Sequence, residues 1–249
     1  MNYKDYINWE RMPTTWCPGC AIGTIFKQTT FALSELGLAA EDMTVVSGIG
    51  CSGRAAGYFN TDSVHVTHGR ALPVAEGIKR ANPKLKVIVF SGDGDLVGIG
   101  GNHLLHSARR DIDLAVICVN NGIYGMTGGQ MAPTTPTGEK TLTSPHGTAY
   151  APINIQGIVT SNRRHWFARA STFHIVHLQK VIREAVERPG FAFVEVMGFC
   201  IENSGRRLGF KSGHEMLTKL KTDYKLKAGP DGLLGDHELG VVKNDGQNG

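Results

Sequence analysis

Residues 86–95 read Lys-Val-Ile-Val-Phe-Ser-Gly-Asp-Gly-Asp (KVIVFSGDGD), and residues 114–122 read Leu-Ala-Val-Ile-Cys-Val-Asn-Asn-Gly (LAVICVNNG). Each is a near-continuous apolar run of strand length that breaks into small and polar residues. Such runs suit strands buried on both faces, as in a parallel sheet covered by helices. Between them, Gly101 to Arg110 has helical character. A right-handed crossover through that helix returns the chain to the sheet in the same direction. The polar ends, Gly92-Asp93-Gly94-Asp95 and Asn120-Asn121, then share one edge of the sheet. Open parallel sheets bind ligands beyond the carboxyl ends of their strands.

The same strand–helix unit recurs on both sides. Ala21–Gly37 reads as a helix. Met43–Ser47 is a short apolar strand running into Gly48-Ile49-Gly50-Cys51-Ser52-Gly53. Val64–Thr67 is a second strand, ending at His68-Gly69-Arg70. Ala71–Ala81 is helical and is stopped by Asn82-Pro83. Downstream, Asn154–Asn162 reads as a helix and Trp166–Ala170 as a strand. Leu178, Val181, Ile182, Ala185 and Val186 share one helical face, and Phe191–Val196 is the last strand, leading to Cys200. Repeated strand–helix units indicate an α/β, doubly wound, mostly parallel sheet. Gly122–Ala149 is rich in Gly, Thr and Pro, and a loop of that length tends to be functional. From about Ala228 large apolar residues are few. The expected division is one domain over 1–227 and a mobile tail over 228–249.

The bulk properties exclude several classes. A chain of 249 residues is ample for one buried core. Its 32 glycines cluster instead of repeating, which suits loops where backbone approaches a ligand. Net charge is only +4. The excess gathers at Arg163-Arg164, at Arg206-Arg207 with Lys211, and from Lys219 to Lys227, without a dense basic and aromatic stripe. No nucleic-acid partner is expected. No apolar run approaches the roughly 20 residues that span a bilayer. Met1 to Arg11 lacks the build of a secretory signal, so no membrane association and a cytoplasmic location are expected. Five cysteines in such a protein argue for metal or redox chemistry over disulfides.

Asp93, Asn121 and the Ile123 carbonyl can all supply oxygen to one ion. Two diphosphate oxygens and a water would complete the shell that Mg²⁺ demands. Gly92 and Gly94 let backbone N–H groups approach phosphates. A bare Gly-Asp-Gly is more often a tight turn, but pairing with Asn120-Asn121 at the next strand end makes it far more specific. His68 and Arg70 end another strand and could reach the same diphosphate; an ordinary surface loop is an equal reading of those two alone. Cys17 and Cys20 leave one turn, whereas Cys51 and Cys200 come singly from distant loops. Four thiolates suffice for a 4Fe–4S cluster or a structural zinc. Zinc ribbons usually carry two short knuckles, and the single one here favours the cluster. Cys118, inside the apolar run, reads as core.

The segments Trp16–Cys20 (WCPGC), Gly48–Arg54 (GIGCSGR), Thr67–Leu72 (THGRAL), Ser91–His106 (SGDGDLVGIGGNHLLH) and Asn120–Thr137 (NNGIYGMTGGQMAPTTPT) together resemble the β subunits of 2-oxoacid:ferredoxin oxidoreductases, most closely the 2-oxoglutarate type. The resemblance implies the diphosphate-type thiamine-diphosphate-binding fold. It implies oxidative decarboxylation of a 2-oxoacid with coenzyme A to acyl-CoA, CO₂ and reduced ferredoxin, or the reverse, CO₂-fixing reaction. It places Mg²⁺ on Asp93, Asn121 and Ile123, and one 4Fe–4S cluster on Cys17, Cys20, Cys51 and Cys200. It lines thiamine diphosphate with Ile49, Gly50, Cys51, Ser52, His68, Gly69, Arg70, Gly92, Gly94, Asp95, Tyr124, Gly125, Met126 and Thr127, and gives His68 and Arg70 to catalysis. Thiamine enzymes also need a glutamate against the aminopyrimidine, from a second domain for which this chain has no room. The resemblance therefore implies an α subunit with the pyrimidine-binding domain, in an (αβ)₂ assembly, and ferredoxin as the external electron carrier. Alternatives are a pyruvate- or branched-chain-specific member, a non-oxidative thiamine-dependent decarboxylase subunit, and an inactive module that keeps only the fold.

Overall fold

The apolar runs fold as strands. In the computed structural model, which describes residues 2–227 and 232–246, helix α1 (Ala21–Leu36) precedes β1 (Met43–Ser47) and β2 (Asp62–His65). Helix α2 (Ala71–Ala81) leads to β3 (Lys86–Gly92), and α3 (Gly101–Arg110) to β4 (Leu114–Asn120). A short hairpin of β5 (Ile123–Tyr124) and β6 (Gln130–Met131) follows, then α4 (Ile155–Thr160), β7 (His165–Ser171), α5 (Ile175–Glu187) and β8 (Phe191–Met197). The described chain closes with α6 (Gly213–Asp223), β9 (Lys225–Leu226) and β10 (Glu238–Asn244).

Eight strands form one sheet in the order β2-β1-β3-β4-β8-β7-β10-β9. Neighbours from β2 through β7 pair in parallel, as the buried apolar runs imply. Side chains alternate across a strand, and the two faces carry separate cores. Ile88, Phe90, Ile117 and Val119 pack with Ile22 and Ile25 of α1 and Val181 and Ile182 of α5. Val87, Val89, Val116 and Cys118 pack with Leu72 of α2, Leu104 of α3 and Ile155 of α4. The chain leaves β1 for β2 on one side, while β3 lies on the other. That reversal opens a crevice at the carboxyl ends of β1 and β3, the usual ligand position in such sheets.

The C-terminal segment departs from expectation. Residues 232–246 are not a loose tail: β10 pairs antiparallel with β7, Gly240 opposite Arg169 through Asn244 opposite His165. Leu234 and Val242 are buried in the second core. The Gln156 amide donates to the Leu234 carbonyl (3.0 Å) and accepts the Leu234 N–H (2.9 Å). Strand pairing satisfies backbone groups and needs few large side chains, which is why the composition misleads. Residues 228–231 and 247–249 of the expected tail lie outside the described residues. Ser212 caps helix α6: its hydroxyl accepts the Glu215 N–H (3.2 Å), while Glu215 accepts the Lys211 N–H (2.9 Å). Met216 and Leu220 of α6 pack with Phe199 and Ala21. No helix among the described residues is long and apolar enough to cross a membrane.

Candidate active site

Strand β3 delivers Asp93 to a site only 2% exposed. Its Oδ2 accepts the Gly122 N–H (3.1 Å) and the Thr134 hydroxyl. Burial pushes this carboxyl up to about 6, against the opposing pull of those hydrogen bonds. A buried carboxylate held only by neutral donors is matched to a cation. Asn121 and Ile123 line the same cavity. Asn121 Oδ1 accepts the Ile123 N–H (3.2 Å), which closes the turn and leaves a second lone pair on that oxygen. A carboxylate, an amide oxygen and a backbone carbonyl are hard oxygen ligands of the kind Mg²⁺ takes, so the chemistry of these residues suits that ion. Thr134 was not legible in the sequence, because any of several Thr residues in the long loop could have reached Asp93. Its neighbour Thr135 donates to the Gly122 carbonyl (2.6 Å), so the loop and the turn brace each other.

Asp95 has a different task. It is 2% exposed and accepts from His68 Nδ1 (2.6 Å), Gly69 N–H (2.7 Å), Ile49 N–H (3.1 Å) and Ser91 Oγ (2.9 Å). One carboxylate thus ties together the loops after β1, β2 and β3. Because a carboxylate only accepts, His68 carries a proton on Nδ1, which leaves Nε2 turned away from Asp95. A Cβ on Gly48 would lie 1.9 Å from Asp95 Oδ2, so only glycine fits there. Likewise a Cβ on Gly94 would meet the Tyr124 ring at 2.2 Å, and the Tyr124 hydroxyl donates to the Gly94 carbonyl (3.1 Å). A single wide helical turn over Gly94–Ile99 follows Asp93, with the Gly100 N–H on the Asp95 carbonyl (2.8 Å). Wide turns of this kind recur at functional sites.

The cavity wall gathers Ile49, Gly50, Cys51, Ser52, His68, Gly92, Asp93, Gly94, Asp95, Asn121, Ile123, Tyr124, Gly125, Met126 and Thr127. Two expected members stand apart from that wall. Gly69 is buried with its amide on Asp95. Arg70 is exposed, and its guanidinium donates to the Gly69 carbonyl (3.3 Å).

Cys17, Cys20, Cys51 and Cys200 line one adjoining cavity, which shares Cys51, Asn121, Gly125 and Met126 with the first. The Trp16 indole N–H on the Cys51 carbonyl (2.7 Å) holds the N-terminal turn against this loop. Burial pushes Cys20 up to about 11, and the other three thiols add to the rise. Burial and the thiols of Cys200 and Cys17 raise Cys51 as well. Among the described residues no three His, Cys, Asp or Glu side chains converge as ligands of a single ion. Zinc needs its thiolates about 2.3 Å from one centre, whereas a cubane cluster presents four separated irons. Four thiols lining one cavity are the ligand type that either centre takes. Cys118 is fully buried between the strands and far from this role, as its apolar setting implies.

The domain family described as thiamine pyrophosphate enzyme, C-terminal TPP binding domain, matches residues 48–196. That span contains the whole Asp93 cavity and excludes Cys17, Cys20 and Cys200. The 2-oxoglutarate synthase subunit KorB of Methanothermobacter thermautotrophicus is 40% identical over 247 residues, covering 97% of this chain and 86% of that subunit. The chain belongs to the 2-oxoacid:ferredoxin oxidoreductase β subunits. The KorB subunit of Archaeoglobus fulgidus is 47% identical over 198 residues, 80% of this chain and 74% of that one. A solved 2-oxoglutarate:ferredoxin oxidoreductase from Magnetococcus marinus, with 2-oxoglutarate, coenzyme A and succinyl-CoA bound, matches at TM-score 0.87 and 30% identity, over 98% of this chain and 85% of that chain. A β subunit of this family works within a multi-subunit enzyme. The family's TPP-binding domain ends at β8, so the cysteine cavity is built where chain outside that domain folds back against it.

Proposed function

We propose that this β subunit binds thiamine diphosphate, Mg²⁺ and one 4Fe–4S cluster, and with an α subunit oxidises 2-oxoglutarate with coenzyme A to succinyl-CoA and CO₂, passing electrons to ferredoxin, or runs the reverse. The observation that carries the reading is the shared wall: the buried Asp93 cavity and the four-thiol cavity meet at Cys51, Asn121, Gly125 and Met126. When bound, thiamine diphosphate supplies the carbon nucleophile for decarboxylation and the cluster supplies one-electron acceptance. Asp93, Asn121 and the Ile123 carbonyl would hold the cation, and Gly92 and Gly94 would leave room for the diphosphate. His68, fixed by Asp95, holds its proton at Nδ1 and can accept one at Nε2. Cys17, Cys20, Cys51 and Cys200 would hold the cluster. The α subunit supplies the pyrimidine-binding domain, in an (αβ)₂ assembly. The preference for 2-oxoglutarate over pyruvate or branched-chain 2-oxoacids rests on likeness to relatives named 2-oxoglutarate synthase.

The test is anaerobic co-purification with the partner subunit, followed by coenzyme A-dependent viologen reduction with 2-oxoglutarate, pyruvate and branched-chain 2-oxoacids. Iron with a broad visible absorption band and fastest reduction with 2-oxoglutarate are expected. Decarboxylation without viologen reduction, in a preparation lacking iron, would leave the non-oxidative reading in its place. A thiamine-free, inactive complex would leave only a fold-keeping module.

A further inference from the structure

Behind the metal turn lies a buried chain of polar contacts that the cavity itself does not use. Register places Glu195 of β8 between Cys118 of β4 and Arg169 of β7. Glu195 is 4% exposed and Arg169 9%. The Arg169 Nε–H donates to Glu195 Oε2 (2.7 Å), and the Asn120 Nδ2–H donates to Glu195 Oε1 (2.8 Å). A carboxylate can only accept, so it selects the nitrogen side of the Asn120 amide. The amide oxygen is thereby turned onto the Gly122 N–H (3.2 Å). That same N–H also donates to Asp93 Oδ2 (3.1 Å). At the far end, Arg169 donates to the Gly235 carbonyl (2.9 Å), in the segment leading to β10.

We propose that Arg169, Glu195 and Asn120 are positioning residues for the metal turn, which fix the orientation of the Asn120 amide and so present Asn121, Ile123 and Asp93 to the cation, with the C-terminal segment as the outer anchor. The alternative, a buried ion pair that serves only the sheet, gives no reason for the third contact to Asn120. Reversing the amide would put its NH₂ against the Gly122 N–H and its oxygen against Glu195. Both contacts would be repulsive, and the donor that steadies Asp93 would move. Removing outer partners of this kind typically weakens metal binding by about 10–100-fold.

The inference rests on the Mg²⁺ reading, and the experiment separates the two. The complex with its partner subunit is titrated with Mn²⁺ in the presence of thiamine diphosphate, and unbound Mn²⁺ is followed by electron paramagnetic resonance. Wild-type saturation with thiamine-dependent Mn²⁺ is expected. Asn120→Leu and Glu195→Gln should raise half-saturating Mn²⁺ by about 10–100-fold. The pair Arg169→Met with Glu195→Gln should recover much of that loss, because a Gln freed from Arg169 can offer its oxygen to Asn120. If Asn120→Leu does not fold, the near-isosteric Glu195→Gln carries the test. Variants that melt at lower temperature yet take up Mn²⁺ like wild type would overturn the inference and leave a structural ion pair. A wild-type complex without thiamine-dependent Mn²⁺ binding would bring down the functional reading, and the inference with it.

Discussion

In the Asp93 cavity the chain itself fixes the acidic groups. Asp93 is held by Gly122 and Thr134, and Asp95 by His68, Gly69, Ile49 and Ser91. In the cysteine cavity next door the thiols have less support: Cys17 is exposed, and Cys200 accepts a long 3.5 Å contact from the Asn203 N–H. The first cavity is held by the chain's own contacts, as in a preorganised site. The second is a ring of thiols whose spacing will follow what they bind, because ligation and folding of such loops are coupled. The two halves should therefore fail separately, although they share a wall.

The most severe break is at Asp93. Asp93→Ala removes the one buried carboxylate of the donor set, and activity of the assembled enzyme should fall by more than the roughly 100-fold seen for outer-shell losses. Thiamine diphosphate affinity, measured by calorimetry with Mg²⁺, should fall with it, while iron content stays at the wild-type level. Loss of iron in this variant would show that the cavities are not independent. The converse variant is Cys200→Ser. It should lose iron and the broad visible band and drop viologen reduction by about 10–100-fold or more, yet retain Mg²⁺-dependent thiamine diphosphate binding. Unchanged iron per complex would remove Cys200 from the ligand set.

A milder break tests the brace between loops. In Gly48→Ala the new Cβ would sit 1.9 Å from Asp95 Oδ2, and the loop must shift. Overpacking of this kind costs about 1–3 kcal/mol. A lower melting temperature and weaker cofactor binding are expected together, since Asp95 holds three strand ends at once. A melting temperature equal to wild type would mean that the loop after β1 is softer than its contacts imply.

Much of this layout was legible in the residues, for physical reasons. Short apolar runs rich in β-branched residues and bounded by Gly and polar residues read as strands buried on both faces, so β3, β4 and β8 and the edge carrying Asp93 and Asn121 followed from KVIVF, LAVICV and Phe191–Val196. Cys17, Cys20, Cys51 and Cys200 were grouped by their loop positions in the sequence, and the structure brings all four to one cavity. What escaped depends on contacts between distant segments. Strand β10 is defined by backbone pairing with β7, which composition does not report. Arg70 sits beside His68 in sequence, but the turn at Gly69 sends it outward. Asp95 lines the cavity as expected; its four donors, which also make it a brace between loops, come from segments that the sequence does not bring together. Helix α6 did leave a signal, Ser212 three residues before Glu215, the pattern of a capping box. Thr134 and the Arg169–Glu195 pair left none.

The smallest effect expected lies at the remaining cysteine. Cys118 is completely buried on the face packed by α2, α3 and α4, and burial holds its thiol well above the usual range. A thiol so held stays protonated and serves as a small apolar group. Cys118→Ala therefore removes little more than one methylene-sized volume, a loss of about 1 kcal/mol. It should leave iron content, visible absorption and thiamine diphosphate binding as they are, with only a slight fall in melting temperature. The contrast with Cys200→Ser is what gives this variant its value, because both change one thiol in a chain that has five cysteines. If Cys118→Ala also lost iron, cluster stability would depend on the rigidity of β4 as well as on ligation, and the separation of the two cavities would be weaker than their contacts indicate.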